Sequence, residues 1–354
     1  MPSTSLDSIR IEIEDALADF VKGKTEKLNR TDEFLQPITK SLAEYILDGG
    51  KRFRPTFAYL GFLGAGGIAS PKIARACAAL ELVHVCALVH DDLMDGSDTR
   101  RNRQSIHRQF QDHHRDSKYV GNSENYGASV AILLGDLSLA WSDELLYLSG
   151  VEQPQLNQAL PIFHEMREEL MAGQYLDVLE SVRGESNKVR SSKIAQLKSG
   201  KYSIERPLQF GAALAGANST LIDDFSNFGL ALGEAFQLRD DLLGIFGEPN
   251  VTGKPSGDDI REGKRTLLIA LTLEKCNESE RRLLEISLGD KNVESSKIAA
   301  IQEVISRCGA MEECERLISE LFDKAVANLD KSVCLDEIKK LLVDMAKAAT
   351  QREK

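Results

Sequence analysis

Ala76-Cys77-Ala78-Ala79-Leu80-Glu81-Leu82-Val83-His84-Val85-Cys86-Ala87-Leu88-Val89-His90-Asp91-Asp92-Leu93-Met94-Asp95 is apolar around most of a helix's circumference until its last turn, where three carboxylates gather. A helix of that kind is buried on most sides, so this segment belongs at the centre of a helical protein. Asp91 and Asp95 are four residues apart and share one face. Their position at a C-terminus opposes the helix dipole, which favours cations there. Crowded carboxylates also repel and raise one another's pKa. A divalent cation resolves both difficulties. Magnesium takes oxygen ligands, keeps several waters, and is commonly shared between carboxylates and a substrate phosphate.

A second stretch, Phe236-Gln237-Leu238-Arg239-Asp240-Asp241-Leu242-Leu243-Gly244-Ile245-Phe246, repeats the design. Gly244 stands where a third carboxylate would come, so this site is leaner, with Asp240 as its principal ligand and Asp241 beside it. For either motif alone, a solvated acidic helix end paired with arginine is the weaker reading. Two of them, on the two most apolar helices of the chain (about 72–95 and 225–246), make that reading poor.

Outward from these segments the 3.6-residue periodicity persists and strand-like alternation does not. Helices are expected at about 5–22, 32–48, 53–65, 71–95, 128–149, 155–182, 188–216, 220–246, 263–275, 293–307, 310–330 and 335–351. Asp48-Gly49-Gly50 ends a helix with glycine suited to the left-handed cap position. Pro71 and Pro161 fall near helix beginnings, where a missing N–H costs little. Residues 96–127 read as a long polar loop with a short helix, and 247–262 as a second long loop; loops of such length are usually functional. No linker or solenoid repeat divides the chain. The expectation is one all-α domain over residues 1–354.

Composition narrows the function. The formal net charge of −11 disfavours nucleic acid, whose backbone is bound by clustered Lys and Arg. The six cysteines show no zinc-ligand spacing and read as thiols of a reduced compartment. The first twenty residues carry acids at helical intervals rather than a signal-length apolar run. No window is expected to reach the roughly 18 apolar residues of a membrane span. A soluble, cytoplasmic protein with no transmembrane segment is expected.

Within this acidic chain four cationic clusters stand out: Lys51-Arg52-Phe53-Arg54, Arg100-Arg101-Asn102-Arg103, Lys198-Ser199-Gly200-Lys201, and Lys254 with Lys264-Arg265. Carboxylates that bind metal beside Arg and Lys that bind phosphate oxygens suit a magnesium–diphosphate ligand. Arg52, Arg103 and Lys201, taken singly, read as ordinary surface residues. There is no Gly-x-x-x-x-Gly-Lys-Ser/Thr loop and no Gly-x-Ser-x-Gly elbow. His84 and His90 read as packed polar residues, and His113-His114 as solvent-facing.

At these residues the sequence resembles the trans-prenyl diphosphate synthases, the polyprenyl synthetase family, from about Leu35 to Ala349. The resemblance rests on Gly49-Gly50-Lys51-Arg52-Phe53-Arg54-Pro55, Asp91–Asp95 followed by Arg100-Arg101, Gly135-Asp136, Gly173-Gln174, Lys198-Ser199-Gly200, Gln237-x-x-Asp240-Asp241, and Thr252-Gly253-Lys254-Pro255 through Gly263-Lys264-Arg265. It implies the all-α isoprenoid-synthase fold, a helical bundle around a deep central cavity, usually as a homodimer. Asp91, Asp95 and Asp240, with Asp241, would hold about three magnesium ions. Arg100, Lys198 and Lys254 match positions that hold the allylic diphosphate, with Lys264 near it. Lys51, Arg54, His84 and Arg101 match those that hold isopentenyl diphosphate, so His84 becomes a ligand contact on resemblance alone. Ser199 and Gln237 match groups beside the reacting carbons. Gly244 departs from the pattern.

The reaction so implied is head-to-tail condensation of isopentenyl diphosphate with an allylic diphosphate. Product length would be set by what blocks an apolar tunnel beneath Asp91. Cys86 lies five residues earlier, about 7–8 Å down the helix at about 1.5 Å per residue, and it and Ala87 are small. A product longer than farnesyl is expected, with geranylgeranyl diphosphate favoured over farnesyl or longer chains. A class I terpene cyclase lacks support, because the second site has no Asn/Asp-x-x-Ser/Thr-x-x-x-Glu motif; a non-catalytic helical partner subunit would not need the intact cation clusters.

Overall fold

The computed structural model describes residues 5–184, 186–248 and 256–351. Its helices are α1 (Leu6–Thr31), α2 (Gln36–Leu47), α3 (Phe53–Gly64), α4 (Pro71–Asp95), α5 (Ile106–Asp116), α6 (Ser123–Tyr147), α7 (Gln153–Arg183) and α8 (Lys188–Ala195). They continue as α9 (Arg206–Leu214), α10 (Ser219–Phe246), α11 (Asp258–Glu262), α12 (Leu267–Lys275), α13 (Glu278–Ser287), α14 (Ser295–Arg307), α15 (Ala310–Lys331) and α16 (Asp336–Thr350). Between α8 and α9 the chain is a π-helix, Gln196–Glu205. Among the described residues the only strands are two-residue β1 (Thr99–Arg100) and β2 (Arg103–Gln104), an antiparallel hairpin.

Local chemistry explains the boundaries. Pro71 begins α4, where its missing N–H costs little. Gly96, in the left-handed region, ends that helix by donating its N–H to the Asp92 carbonyl. Asn122, Asn187, Asn218 and Asn277 each accept a backbone N–H at a helix start. Pro161 lies inside α7 rather than near a beginning. Residues 278–287, where no helix is expected, form α13, whose capping box pairs Asn277 with Glu280.

The contacts divide into two compact units, one of residues up to Ala159 with Gly211–Gly216, the other of Leu160–Phe210 with residues from 217 on. In the first, α4 is central: Ala76 to Val83 are buried without a break, and α1, α3 and α6 contribute Ile13, Phe57 and Leu134. By length and composition α4 could cross a membrane, contrary to expectation, but 72% of its apolar window is buried inside the protein, as in a core helix. In the second unit α10 is central, and its Leu238, Leu242 and Ile245 share a core with Leu268, Leu271, Ile301, Ile305 and Ile318.

His114, expected at the surface, is buried. Its ring packs against Tyr119 and Tyr126, and Nε2 lies 3.2 Å from the Val120 carbonyl.

Candidate active site

In the first unit the end of α4 presents Asp91 and Asp95, both half-buried, while Asp92 between them is 1% exposed. The hairpin supplies the countercharge. Arg100 Nε donates to Asp92 Oδ1 at 2.7 Å and Nη2 lies 3.5 Å from Asp91 Oδ2. Burial opposes a charged guanidinium, but Asp92 and Asp91 more than offset it and hold Arg100 protonated. Arg101 and Asn102 form the two-residue turn, both with positive φ, as type I′ hairpins require. Arg100 thus meets the aspartates, whereas Arg101 Nη1 reaches the Gly49 carbonyl at 3.3 Å and its Nη2 crowds Gly50. Arg103 is exposed and paired with Asp48 at 2.9 Å, in keeping with its surface reading.

The loop before α3 carries the next cations. Gly49 and Gly50 take positive φ, and so does Arg52, an uncommon conformation for a residue with a side chain to hold. Arg52 is not a surface residue. It is 3% exposed, with Nη1 2.7 Å from the buried Glu81 of α4 and Nη2 donating to the Ile46 carbonyl at 2.9 Å. That ion pair ties the loop to α4 between Lys51, whose Nζ lies 5.9 Å above the Phe53 ring, and Arg54 in the first turn of α3. His84, one turn after Glu81, is held neutral well below the usual histidine range. Burial is the main cause, and the Arg54, Arg101, Arg100 and Arg52 guanidiniums add to it.

Gly135-Asp136 also has a physical reason. A Cβ at Gly135 would stand 2.1 Å from His90 Nε2, so α6 can approach α4 only with glycine there. His90 Nε2 lies 3.2 Å from the Ile132 carbonyl and Nδ1 3.7 Å from Cys86 Sγ. Cys86 is buried, and burial, with Asp136 adding, pushes its thiol up to about 12; it behaves as a small apolar group.

In the second unit three glycines position the lysine cluster. A Cβ on Gly173 of α7 would meet the Lys198 backbone nitrogen at 2.7 Å, and one on Gly233 of α10 would meet Gly200 Cα at 2.3 Å. These backbone approaches seat the π-helix, a form often found at functional sites, with Lys198 and Ser199 half-buried. Lys198 Nζ pairs with Asp177 of α7 at 2.7 Å. Lys201 is half-buried and paired with Glu169 rather than lying on the surface.

At the end of α10, Asp240 is half-buried and Asp241 buried. Gln237 Nε2 donates to Asp241 Oδ1 at 2.6 Å. Burial pushes Asp241 up to about 8, with Asp259 and Asp240 adding to the shift while Gln237 and Lys264 oppose it. The place opened by Gly244 is filled: a Cβ there would lie 2.0 Å from Asp259 Oδ2. The third carboxylate beside Asp240 and Asp241 therefore comes from α11, not from α10. Lys264 Nζ lies 3.5 Å from Asp259 and also pairs with Glu262. Lys254 lies outside the described residues. Sequence reasoning misses Asp177 and Asp259, although Asp177 stands one turn after Gly173 and Asp259 opens the run toward Lys264.

Among the described residues, no group of three or more Asp, Glu, His or Cys side chains is arranged to hold a metal ion by itself. Magnesium fits such sites differently, through one or two carboxylates together with substrate phosphates. Each unit thus offers carboxylates beside cations, the donor set for a metal–diphosphate ligand.

Residues 36–305 match the polyprenyl synthetase family model. The chain belongs to the polyprenyl synthetase family. It is a prenyl diphosphate synthase, a transferase of prenyl groups. A geranylgeranyl diphosphate synthase of Sulfolobus acidocaldarius is 30% identical over 326 residues, covering 90% of this chain and 88% of that protein. A geranylfarnesyl diphosphate synthase of Aeropyrum pernix is 30% identical over 301 residues, covering 84% and 88%. Among solved structures, geranylgeranyl pyrophosphate synthase from Corynebacterium glutamicum, complexed with isoprenyl diphosphate and magnesium, aligns with a TM-score of 0.95 at 36% identity, covering 99% of this chain and 100% of that one. The isoprenoid-synthase all-α fold expected from the motifs is the fold found.

Two outcomes test this site. Gly244→Asp forces the Asp259 carboxylate aside and should cost about 1–3 kcal/mol, lowering the melting temperature; adding Asp259→Gly should recover most of it. An undiminished melting temperature in the single variant would show that Asp259 does not fill that place. For His84 the folded state disfavours the proton, so its stability contribution is complete above the unfolded histidine pKa of about 6.5 and declines as pH falls below it. Wild type should therefore lose melting temperature relative to His84→Gln between about pH 7 and pH 5; parallel curves would contradict the neutral imidazole.

Proposed function

We propose that this enzyme condenses isopentenyl diphosphate head-to-tail with an allylic diphosphate, and that its main product is geranylgeranyl diphosphate. The observation that carries the reading is the divergence of Arg100 and Arg101: adjacent residues of one hairpin serve the aspartates on one side and the Gly49–Arg54 loop on the other. Two diphosphates, one with metal and one without, fit those two neighbourhoods.

On this reading Asp91 and Asp95, with Asp240 and the neighbouring Asp241, hold magnesium, about three ions in all; when bound, the metal neutralises the allylic diphosphate and stabilises its departure. Arg100, Lys198, Lys254 and Lys264 hold the phosphate oxygens that remain. A single family model matching residues 36–305 supports residues 1–354 acting as one domain. Lys51, Arg54, Arg101 and the neutral His84 hold isopentenyl diphosphate. Ser199 and Gln237 stand beside the reacting carbons. The allylic C–O bond breaks, the isopentenyl double bond forms the new C–C bond, and the proton lost goes to the departed diphosphate. Water exclusion protects the allylic cation.

A homodimer is supported by Ile132 and Leu133, neighbouring apolar side chains that α6 leaves exposed, since exposed apolar patches mark contact surfaces. Six free thiols support a reducing, cytoplasmic setting. Nucleic acid is not a partner of so acidic a chain.

Chain length follows from Cys86 and Ala87, which leave room below Asp91. Incubation with magnesium, labelled isopentenyl diphosphate and geranyl or farnesyl diphosphate should yield a chain ending at twenty carbons; no elongated product at all would overturn the activity. Cys86→Phe should shift the product toward farnesyl, by chromatography of the hydrolysed products. An unchanged distribution would remove Cys86 from the tunnel.

A further inference from the structure

Asp92 is the most deeply buried of the three aspartates, at 1% exposure. An arginine fork and a carboxylate ordinarily meet oxygen for oxygen. Here both Arg100 nitrogens converge on a single oxygen: Nε at 2.7 Å and Nη2 at 2.5 Å from Asp92 Oδ1. The other oxygen, Oδ2, accepts the Tyr45 hydroxyl at 3.2 Å. Burial, with the Asp92 carboxylate beside it, keeps the phenol protonated and therefore the donor.

Tyr45 is itself well anchored. It lies on α2, where Ser41, one turn earlier, donates to Gln109 of α5 at 2.6 Å, and Asp48, at the helix end, holds Arg103 of the hairpin at 2.9 Å. The helix is thus joined to the hairpin and to α5 on either side of the tyrosine.

We propose that Tyr45 is a positioning residue for the allylic-diphosphate site: by occupying Asp92 Oδ2 it prevents the symmetric two-on-two pairing of Asp92 with Arg100, and so keeps the guanidinium leaning toward Asp91 and the phosphate oxygens. The observed lean is the 3.5 Å separation of Nη2 from Asp91 Oδ2. Without the hydroxyl, the carboxylate replaces that donor most cheaply by rotating onto the whole Arg100 fork, which withdraws that cation from the ligand. This inference rests on the assignment of Arg100 to the allylic diphosphate.

Tyr45→Phe keeps the ring and removes only the donor. Three quantities are measured on wild type and variant: the melting temperature alone, the affinity for inorganic pyrophosphate with magnesium, and KM for each substrate. The expectation is a melting temperature within a few degrees of wild type, pyrophosphate affinity down about tenfold, as for outer partners of metal sites, and a matching rise in KM for the allylic substrate but not for isopentenyl diphosphate. Because Tyr45 acts through Asp92, adding Tyr45→Phe to Asp92→Asn should bring no further loss. Unchanged pyrophosphate affinity, equal losses for both substrates with a lowered melting temperature, or additive losses in the double variant would each overturn the proposal. Wild type that fails to bind pyrophosphate with magnesium would instead overturn the assignment of the site.

Discussion

In each unit everything depends on keeping negative charge at the end of a buried helix. An apolar helix such as α4 gains from burial, but its C-terminal dipole and its own low-dielectric surroundings both penalise the aspartates it must present. The structure meets that cost with arginine. Asp92 is taken up by Arg100. Further back along α4, the buried Glu81 is taken up by Arg52. Breaking a buried pair of this kind typically costs about 3–5 kcal/mol, so these contacts fix the geometry of the hairpin and the Gly49–Arg54 loop, and not merely their charge. The cations that remain, Lys51, Arg54 and Arg101, are positioned by that framework.

The second unit solves the same problem with backbone contact. Gly173 admits the Lys198 backbone, Gly200 and Gly233 admit each other, and Gly244 admits the Asp259 carboxylate. Each glycine brings a charged group, or the segment that carries one, closer than any side chain would allow. The raised pKa of Asp241 records the result: a buried carboxylate with two others beside it, offset only in part by Gln237 and Lys264. A divalent cation with a diphosphate would relieve that crowding.

How much of this is legible in the sequence varies with the range of the interaction. The central helix reads with its bounds intact, because Pro71 and Gly96 are local signals and its apolar circumference has a single meaning. The clustering of carboxylates and cations is equally plain. α13 escapes because Glu278-Ser279-Glu280-Arg281-Arg282 hides a helix behind a polar face, and only its cap betrays it. The π-helix is invisible, since its side-chain pattern continues that of the flanking helices. Arg52, His114 and Lys201 read as surface residues on residue type alone; partners 29 residues away at Glu81 and 32 away at Glu169 decide otherwise for the two cations. Asp259 and Tyr45 depend on contacts between separate helices that no local pattern announces.

On the proposed function, the aspartates place metal for a diphosphate that the lysines and arginines then hold. Calorimetric binding of inorganic pyrophosphate to wild type and to Asp91→Asn, each with magnesium and with a chelator, measures it most directly. The account predicts tight binding only for wild type with magnesium, and a loss of about 2 kcal/mol or more on Asp91→Asn, in keeping with removal of a charged ligand. Binding that survives the chelator, or that Asp91→Asn leaves unchanged, would contradict it.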